Sequence, residues 1–274
     1  MNVLSKKSAF CFLCCLSALA SAAQTSRVTL PSPPESVAYQ RTQLTTIDLS
    51  PTNKLSQYVH YDFSPLWLTT SNEAVLGFIG PGYQRLRLKM LTAQRDKVDP
   101  TRYRVTGKSQ VLGHISAFSG VIIIRQVREL RVLATRIEET VSPARQEGIL
   151  LADYELREDA SQPKSGVFRG IMKTDWYLDK QGKLLYDNIR TTGDGFCNNQ
   201  FVGTWTSYTT RKALRCNWGD YRIPNSGDFD RGAGEFSPSP KYYANGWDYF
   251  AAIYGGNEAA RARAEQKEKK VWWK

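Results

Sequence analysis

Histidine and cysteine are scarce in this sequence, and their scarcity excludes several kinds of chemistry. His60 and His114 are the two histidines among 274 residues. The chain has no HExxH zinc motif, no GxSxG serine elbow and no glycine-rich phosphate loop, and no CxxC pair follows residue 23. The sequence therefore gives no support for a zinc protease, a serine hydrolase or a nucleotide enzyme. We interpret each histidine as a polar residue on a strand face.

Long apolar runs are also missing after residue 23, so we expect no membrane-spanning helix. The apolar run of residues 9–20 follows Lys6 and Lys7 and precedes the small residues 21–23. This run is shorter than the roughly 20 residues that a spanning helix needs. A basic start, a short apolar centre and a small-residue cleavage site are typical of a secretory signal peptide. We predict a signal peptide over residues 1–23 and a periplasmic or secreted protein.

Cys197 and Cys216 are the cysteines that remain once residues 1–23 are removed. Because exported proteins fold in an oxidising compartment, we predict a Cys197–Cys216 disulfide. Such a bond closes a loop of about 20 residues and contributes about 3 kcal/mol to stability. A thiol nucleophile or half of a metal site are the alternatives, and no histidine lies near either cysteine in the sequence.

The net charge of +11 at pH 7 is dispersed along the chain. A basic balance of this kind suits anionic polysaccharides, lipid headgroups or nucleic acids, or simply keeps a protein soluble. The sequence carries no nucleic-acid-binding signature, so we expect no nucleic-acid partner.

Composition and periodicity divide the chain into four parts. Residues 24–57 are rich in Ser, Thr, Pro and Gln, which predicts an extended lead segment. Residues 58–256 contain short alternating segments, such as residues 85–90, separated by Gly, Asp and Asn turns. They predict a single all-β domain, an antiparallel meander that closes as a barrel or packs as a curved sandwich. Residues 125–139 fit a helix or a strand, and we favour a strand. Residues 257–274 predict a charged, short C-terminal helix.

Aromatic residues are concentrated in residues 196–254, where strand alternation is poor. We predict an aromatic-rich loop cap that the disulfide pins in place. Five of its rings form a candidate ligand platform, since flat rings can pack against sugars: Trp205, Trp218, Tyr221, Tyr243 and Trp247. The alternative is that these rings form the core of a region with few aliphatic residues.

Carboxylates in the same region suggest two further sites. Asp228, Asp230 and Glu235 are separated by glycines, a pattern that favours calcium, although a polar surface turn is the alternative. Asp220, Glu235 and Asp248 are candidates for the paired carboxylates of a glycoside hydrolase.

Several segments carry a resemblance to a known family. They are residues 198–208 (NNQFVGTWTSY), 216–224 (CNWGDYRIP), 232–236 (GAGEF) and 246–247, with residues 107–109 and 174–179 in the same pattern. Over about residues 60–250 the chain resembles a family of exported bacterial proteins to which no activity is assigned. The resemblance implies bacterial origin and an all-β exported body, and it supplies no catalytic residue.

These observations together favour a non-enzymatic binding module for a glycan or another envelope component. We expect no cofactor other than calcium. A carboxylate-based hydrolase acting in the cap, or a structural or protein-interaction protein, are the alternatives.

Overall fold

The computed structural model describes residues 32–46, 48–131, 136–137 and 140–274. The predicted signal peptide lies outside the described residues. Four α-helices occur in the described part: α1 (Pro34–Leu44), α2 (Leu55–Tyr58), α3 (Asp248–Gly255) and α4 (Glu258–Lys269). None of these helices has both the length and the apolar character needed to cross a membrane.

Most of the described chain is β-structure. The strands are β1 (Val75–Ile79), β2 (Gln84–Arg95), β3 (Arg102–Val111), β4 (His114–Glu129), β5 (Arg136–Ile137), β6 (Thr140–Val141), β7 (Ala144–Glu158), β8 (Gly166–Asp179), β9 (Leu184–Tyr186), β10 (Asn198–Ser207) and β11 (Ala213–Asp220). Strands β5 and β6 pair only with each other.

The other nine strands form one antiparallel sheet, in the order β10-β11-β1-β2-β3-β4-β7-β8-β9. Strand β10 pairs with β11 on one side and with β8 on the other, so the sheet closes in a ring. Strand β9 adds a short pairing along the end of β8. The predicted all-β antiparallel fold with a short C-terminal helix is confirmed.

Every second side chain of a strand points into the ring, and these inward side chains fill its interior. On β2, Leu86 and Leu88 point inward and are buried, whereas Arg85 and Arg87 point outward, as period-2 alternation predicts. Both arginines bind the carboxylate of Glu268 on α4, at 2.5 and 2.6 Å, which fixes the predicted charged helix against the ring. The inward rings and aliphatic chains form one core: Tyr103, Val105, Phe118, Ile122, Leu150, Tyr154, Leu156, Phe168, Met172, Trp176, Phe201 and Trp218.

One end of the ring is closed by the segment that precedes β1. Phe63, Leu66 and Trp67 are buried in the same core as the inward strand residues. The Trp67 indole nitrogen donates to Thr174 Oγ1 at 3.1 Å, and its ring meets that of Tyr103 edge-on at 4.8 Å. Tyr103 starts β3 and Thr174 lies near the end of β8, so this plug seals one end of the ring and leaves the opposite end for the site described below.

The prediction of an extended lead segment is wrong for residues 34–44, which form α1. Pro34 occupies the first turn, where its missing N–H costs nothing and its fixed φ suits a helix. Ser36 Oγ donates to the carbonyl of Val202 at 2.7 Å, and Tyr39 OH donates to Gln200 at 2.8 Å. These contacts dock α1 on the outer face of the ring, where its apolar partners are Ile149, Leu151, Ile171 and Val202.

The aromatic-rich region packs against the side of the ring. Leu76 and Phe78, on the outward face of β1, enter a separate cluster with Phe229, Phe236 and Trp247. The cluster consists of edge-to-face and tilted rings with centroids about 5 to 6 Å apart. The outward face of β1 thus supplies the surface on which this region folds.

The predicted Cys197–Cys216 disulfide is wrong: both cysteines are free. Asn198, the neighbour of Cys197, lies opposite Asp220 in the β10–β11 pairing, and Asp220 is four residues beyond Cys216. At about 3.3 Å per residue this places the cysteines more than about 10 Å apart along the strands, whereas a disulfide needs Cα atoms about 4.4–6.8 Å apart. Burial raises the pKa of both thiols, so neither suits the alternative role of a nucleophile.

We therefore expect a reducing agent to leave the thermal midpoint of the protein unchanged. A disulfide closing this loop would contribute about 3 kcal/mol, and its reduction would lower the midpoint by about 6–12 °C in a domain of this size. Calorimetry with and without dithiothreitol measures the difference. The Cys197→Ser variant is the control, and a reductant effect seen in the wild type but not in this variant would contradict the free-thiol structure.

Candidate functional site

The end of the ring opposite the plug contains a cavity of about 290 Å³. Its walls come from inward positions on eight strands and from the turns at this end of the ring. The lining residues are Ile79, Gln84, Ser109, Val111, Leu112, His114, Ser116, Glu158, Lys164, Phe168, Trp205 and Leu214. Most of this surface is apolar, although six of the twelve lining residues are polar or charged.

The rim of the cavity carries exposed apolar residues. Leu112 and Gly113 form the two-residue turn between β3 and β4, and both have positive φ angles, 51° and 78°. Two positive φ angles are what a type I′ hairpin turn requires, and leucine is an unfavourable residue there because of its Cβ. Leu112 is 80% exposed, and Ile115, just beyond the turn, is 36% exposed. Strained, exposed apolar residues at the opening are typical of a functional position.

Glu158, the last residue of β7, is the buried charge of the cavity. Its carboxylate accepts hydrogen bonds from the backbone N–H of Gly166 at 2.8 Å, from Trp205 Nε1 at 2.8 Å and from the hydroxyl of Ser109. All three bonds are donated to the carboxylate, which acts only as an acceptor when ionised. The strand register explains the position, since Glu158 pairs with Phe118 on β4 and so lies on the inward face beside Ser109 and Ser116.

His114 begins β4 and lines the same cavity. Its Nε2 atom is buried and has no hydrogen-bond partner within the described part of the chain. A buried polar atom without a partner is costly, and a bound ligand that pairs with it recovers this free energy. Among the groups of the cavity that can accept a hydrogen bond are therefore the carboxylate of Glu158 and the unpaired nitrogen of His114.

This arrangement suits the binding of a small molecule. Ligand sites are concave and mostly apolar, with a few polar groups that fix the orientation, and they occur in the mouths of closed sheets. Phe168, Leu214 and Ile79 supply apolar walls, while Glu158 and His114 supply the polar groups. Trp205 joins the two parts, because its ring lines the wall and its N–H holds Glu158.

The structure does not bring the five predicted platform residues together. Trp205 lies in the cavity, whereas Trp218 is buried inside the ring, stacked on Phe201 at 4.4 Å. Trp247 is completely buried in the aromatic cluster beside β1, and Tyr243 packs against that cluster. Tyr221 is exposed and meets the edge of Phe196. Trp218 and Trp247 therefore serve as core residues of two separate hydrophobic clusters and not as a ligand platform.

The predicted calcium site is not formed. Asp228 binds Lys241 at 2.6 Å, and this bond lowers the pKa of the exposed Asp228 carboxyl. Asp230 binds Arg222 at 2.6 Å and also accepts the backbone N–H groups of Gly232 and Ser237. Among the described residues, no three His, Cys, Asp or Glu side chains come together as a metal site. The two aspartates instead hold the loop with their own cations, as the turn alternative implies.

The predicted hydrolase carboxylates occupy three different environments. Glu235 is exposed in a loop, and Asp248 begins α3, where it pairs with Lys267 at 3.1 Å. Asp220 ends β11 inside the plugged end of the ring, where its carboxylate accepts bonds from Thr70, Tyr186 and Asn199. Burial raises the pKa of Asp220 to about 6.

Sequence analysis assigned no site role to Ser109 or Glu158, and it interpreted His114 only as a polar residue on a strand face. A signal for Glu158 exists, since Ala152, Tyr154 and Leu156 precede it at every second position of β7. An acidic residue that continues the apolar face of a strand is expected to point inward. The sequence gives no comparable signal for His114, because the cavity that contains it forms only when the ring closes.

Comparison of the chain with protein-family models, with curated proteins and with solved structures finds no match. The resemblance to exported bacterial proteins therefore stays a prediction, and the geometry of the cavity is the feature that indicates a function.

Proposed function

We propose that this protein is a non-enzymatic binding protein that holds a small, mainly apolar molecule in the open end of its strand ring. In keeping with its N-terminal sequence, we place it in the periplasm or outside the cell, where such a molecule is an envelope component. The observation that carries the proposal is the 290 Å³ cavity, which is enclosed by inward-facing strand residues and opens at an apolar rim.

The position of the cavity supports binding because the two ends of the ring are built differently. At the plugged end, Phe63, Leu66 and Trp67 fill the interior with side chains of the chain itself. At the open end, Phe168 and Trp205 leave space above them that the side chains do not fill. Apolar surface left open to water is unfavourable, so an apolar molecule of suitable size gains free energy by covering it.

Of the two ligand classes expected from the sequence, a glycan or another envelope component, the cavity favours an apolar envelope component. Six of the twelve lining residues are aliphatic or aromatic and most of the open wall is apolar, while the Trp218 and Trp247 rings predicted to stack on sugars are buried elsewhere. A sugar hydroxyl that meets the apolar part of this wall loses its bonds to water without replacing them, at a cost for each one.

The test uses N-phenyl-1-naphthylamine, an apolar probe that is uncharged at neutral pH and whose fluorescence rises in apolar surroundings. We expect the full chain to bind it at one saturable site. Val111→Trp places a large ring in the cavity and should weaken binding by at least about tenfold, the equivalent of about 1.4 kcal/mol. Competition by 1-decanol, measured as loss of fluorescence, checks that a chain-like molecule occupies the same site.

Ala117→Trp is the matched control. Ala117 lies on the same hairpin as Val111 but has its exposed side chain on the outward face, away from the rim, so the same large ring there should leave binding unchanged. Absence of saturable probe binding, or equal binding by the Val111→Trp variant and the wild type, would contradict the proposed function.

A further inference from the structure

We propose that the molecule held in the cavity ends in a protonated amine, which lies against the carboxylate of Glu158. This inference rests on the proposed function, since it names the chemical class of ligand for the same cavity. The observations behind it are the surroundings of Glu158 and the unpaired nitrogen of His114.

Glu158 differs from two other buried glutamates of this protein. Glu147 is fully buried and binds Arg190 at 3.3 Å, and Glu268 binds both Arg85 and Arg87. Glu158 is equally enclosed, with 7% of its surface exposed, yet its hydrogen bonds come from a hydroxyl, an indole and a backbone amide. No cationic side chain among the described residues lies within 4.0 Å of its carboxylate.

A buried negative charge without a positive partner is unfavourable, and the charges of buried groups are usually paired. Hydrogen bonds from neutral donors compensate for part of the lost hydration, and a cation placed beside the carboxylate supplies the rest. Lys164 is exposed at the rim and forms no ion pair with Glu158. The cavity therefore has a place for a cation beside Glu158, and no cationic side chain of the described residues occupies it.

The count of hydrogen bonds points to the same kind of ligand. Oε2 of Glu158 already accepts two bonds, whereas Oε1 accepts one, from Ser109, and can take a second. The buried Nε2 of His114 is also without a partner and can accept a bond when the imidazole is neutral. Two acceptors need a ligand group with at least two N–H donors, and an ammonium group has three.

The same groups disfavour a ligand that ends in a carboxylate or a phosphate. An anionic group needs hydrogen-bond donors, and the ionised carboxylate of Glu158 can donate none. The negative charge of Glu158 would also repel it. The net charge of +11 attracts anions at long range, but at short distance inside the cavity the uncompensated carboxylate reverses this preference.

The experiment compares three ten-carbon molecules in competition with the naphthylamine probe at pH 7: decylamine, which is protonated, 1-decanol and decanoate. We expect decylamine to bind at least about tenfold more tightly than 1-decanol, and decanoate to bind least. We expect Glu158→Gln to bring decylamine to within about threefold of 1-decanol while 1-decanol binding is retained. Glu155→Gln is the matched control, since it removes one negative charge from the outward face of the same strand, where Glu155 pairs with Arg169, and should keep the tenfold preference.

The comparison among ligands in the wild-type protein tests the preference for a protonated amine even if the Glu158→Gln variant does not fold. Equal binding of decylamine and 1-decanol would overturn the amine inference and leave the proposed function intact. A preference for decylamine that survives in a folded Glu158→Gln variant would also overturn it. If neither the probe nor any of the three molecules binds, the proposed function itself fails.

Discussion

Replacement of Trp247 by alanine is expected to lower the free energy of unfolding by about 3–5 kcal/mol, the usual cost of removing a large buried aromatic side chain. The Trp247 ring is completely buried and meets the rings of Phe229 and Phe236 at 5.0 and 5.5 Å. Its indole nitrogen donates to the carbonyl of Tyr83 at 2.7 Å, and Arg85 lies over its face at 5.1 Å. The truncation would leave a cavity and an unpaired carbonyl. Urea unfolding followed by circular dichroism measures the change.

Tyr221→Ala is the control for this prediction. Tyr221 belongs to the same aromatic-rich region, but 42% of its surface is exposed and its ring meets only the edge of Phe196. Its truncation should cost about 1 kcal/mol or less. Similar, small losses in both variants would mean that the cluster beside β1 is not a packed core, and the predicted role of Trp247 in ligand contact would regain support.

Replacement of Asp220 by asparagine is expected to make the protein more stable than the wild type at neutral pH. The free energy of unfolding that the variant gains over the wild type should be up to about 3 kcal/mol larger at pH 7 than at pH 4. Burial raises the pKa of this carboxyl to about 6 in the folded protein, from an ordinary value of 3.8. At a pH between 3.8 and about 6 the folded state holds more protons than the unfolded state, so the free energy of unfolding of the wild type falls as pH rises through this range. A difference of about two pKa units corresponds to about 3 kcal/mol.

Asparagine has no such titration and nearly the same shape. Thr70, Tyr186 and Asn199 all donate to one oxygen of Asp220, at 2.7, 3.0 and 2.9 Å, and the amide oxygen of asparagine can accept the same bonds. Burial also raises the pKa of Asp187 to about 6, but Asp187 is present in both proteins and cancels in the difference. Unfolding curves of both proteins from pH 4 to pH 8 provide the measurement.

Asp228→Asn is the control, because Lys241 lowers the pKa of Asp228 below its ordinary value of 3.8. The stability that such a carboxyl contributes is present above the ordinary pKa and is lost only at lower pH, so the difference between this variant and the wild type should stay nearly constant from pH 5 to pH 8. A flat difference between Asp220→Asn and the wild type over pH 4–7 would show that Asp220 is not buried as described.

Local alternation allowed much of the strand structure to be predicted from the sequence. Leu86 and Leu88 repeat at every second position, and they point into the ring on β2 as expected. The contact of Arg85 with Glu268 was beyond prediction, because 183 residues separate them and only the docked helix brings them together. The same limit explains the two cysteines, which were predicted to bond as the pair left in an oxidising compartment, whereas the β10–β11 register keeps them apart.

The aromatic residues show why a composition signal cannot by itself distinguish a core from a binding site. Trp205, Trp218 and Trp247 have similar sequence surroundings, rich in Gly, Asn and Thr. Strand position then places Trp205 in the open cavity and Trp218 in the filled centre of the ring, while Trp247 packs outside β1. Their separation depends on register and on distance from the ring ends, neither of which is a local property.

The sequence by itself determined the all-β antiparallel fold, the charged C-terminal helix and the inward face of β2, because these follow from the alternation and composition of neighbouring residues. The tertiary structure alone decided that the sheet closes in a ring, that residues 63–67 plug one end and that Glu158 and His114 share the cavity at the other. The physical reason is that closure depends on β10 pairing with both β8 and β11, and a cavity is the volume that packed side chains leave unfilled.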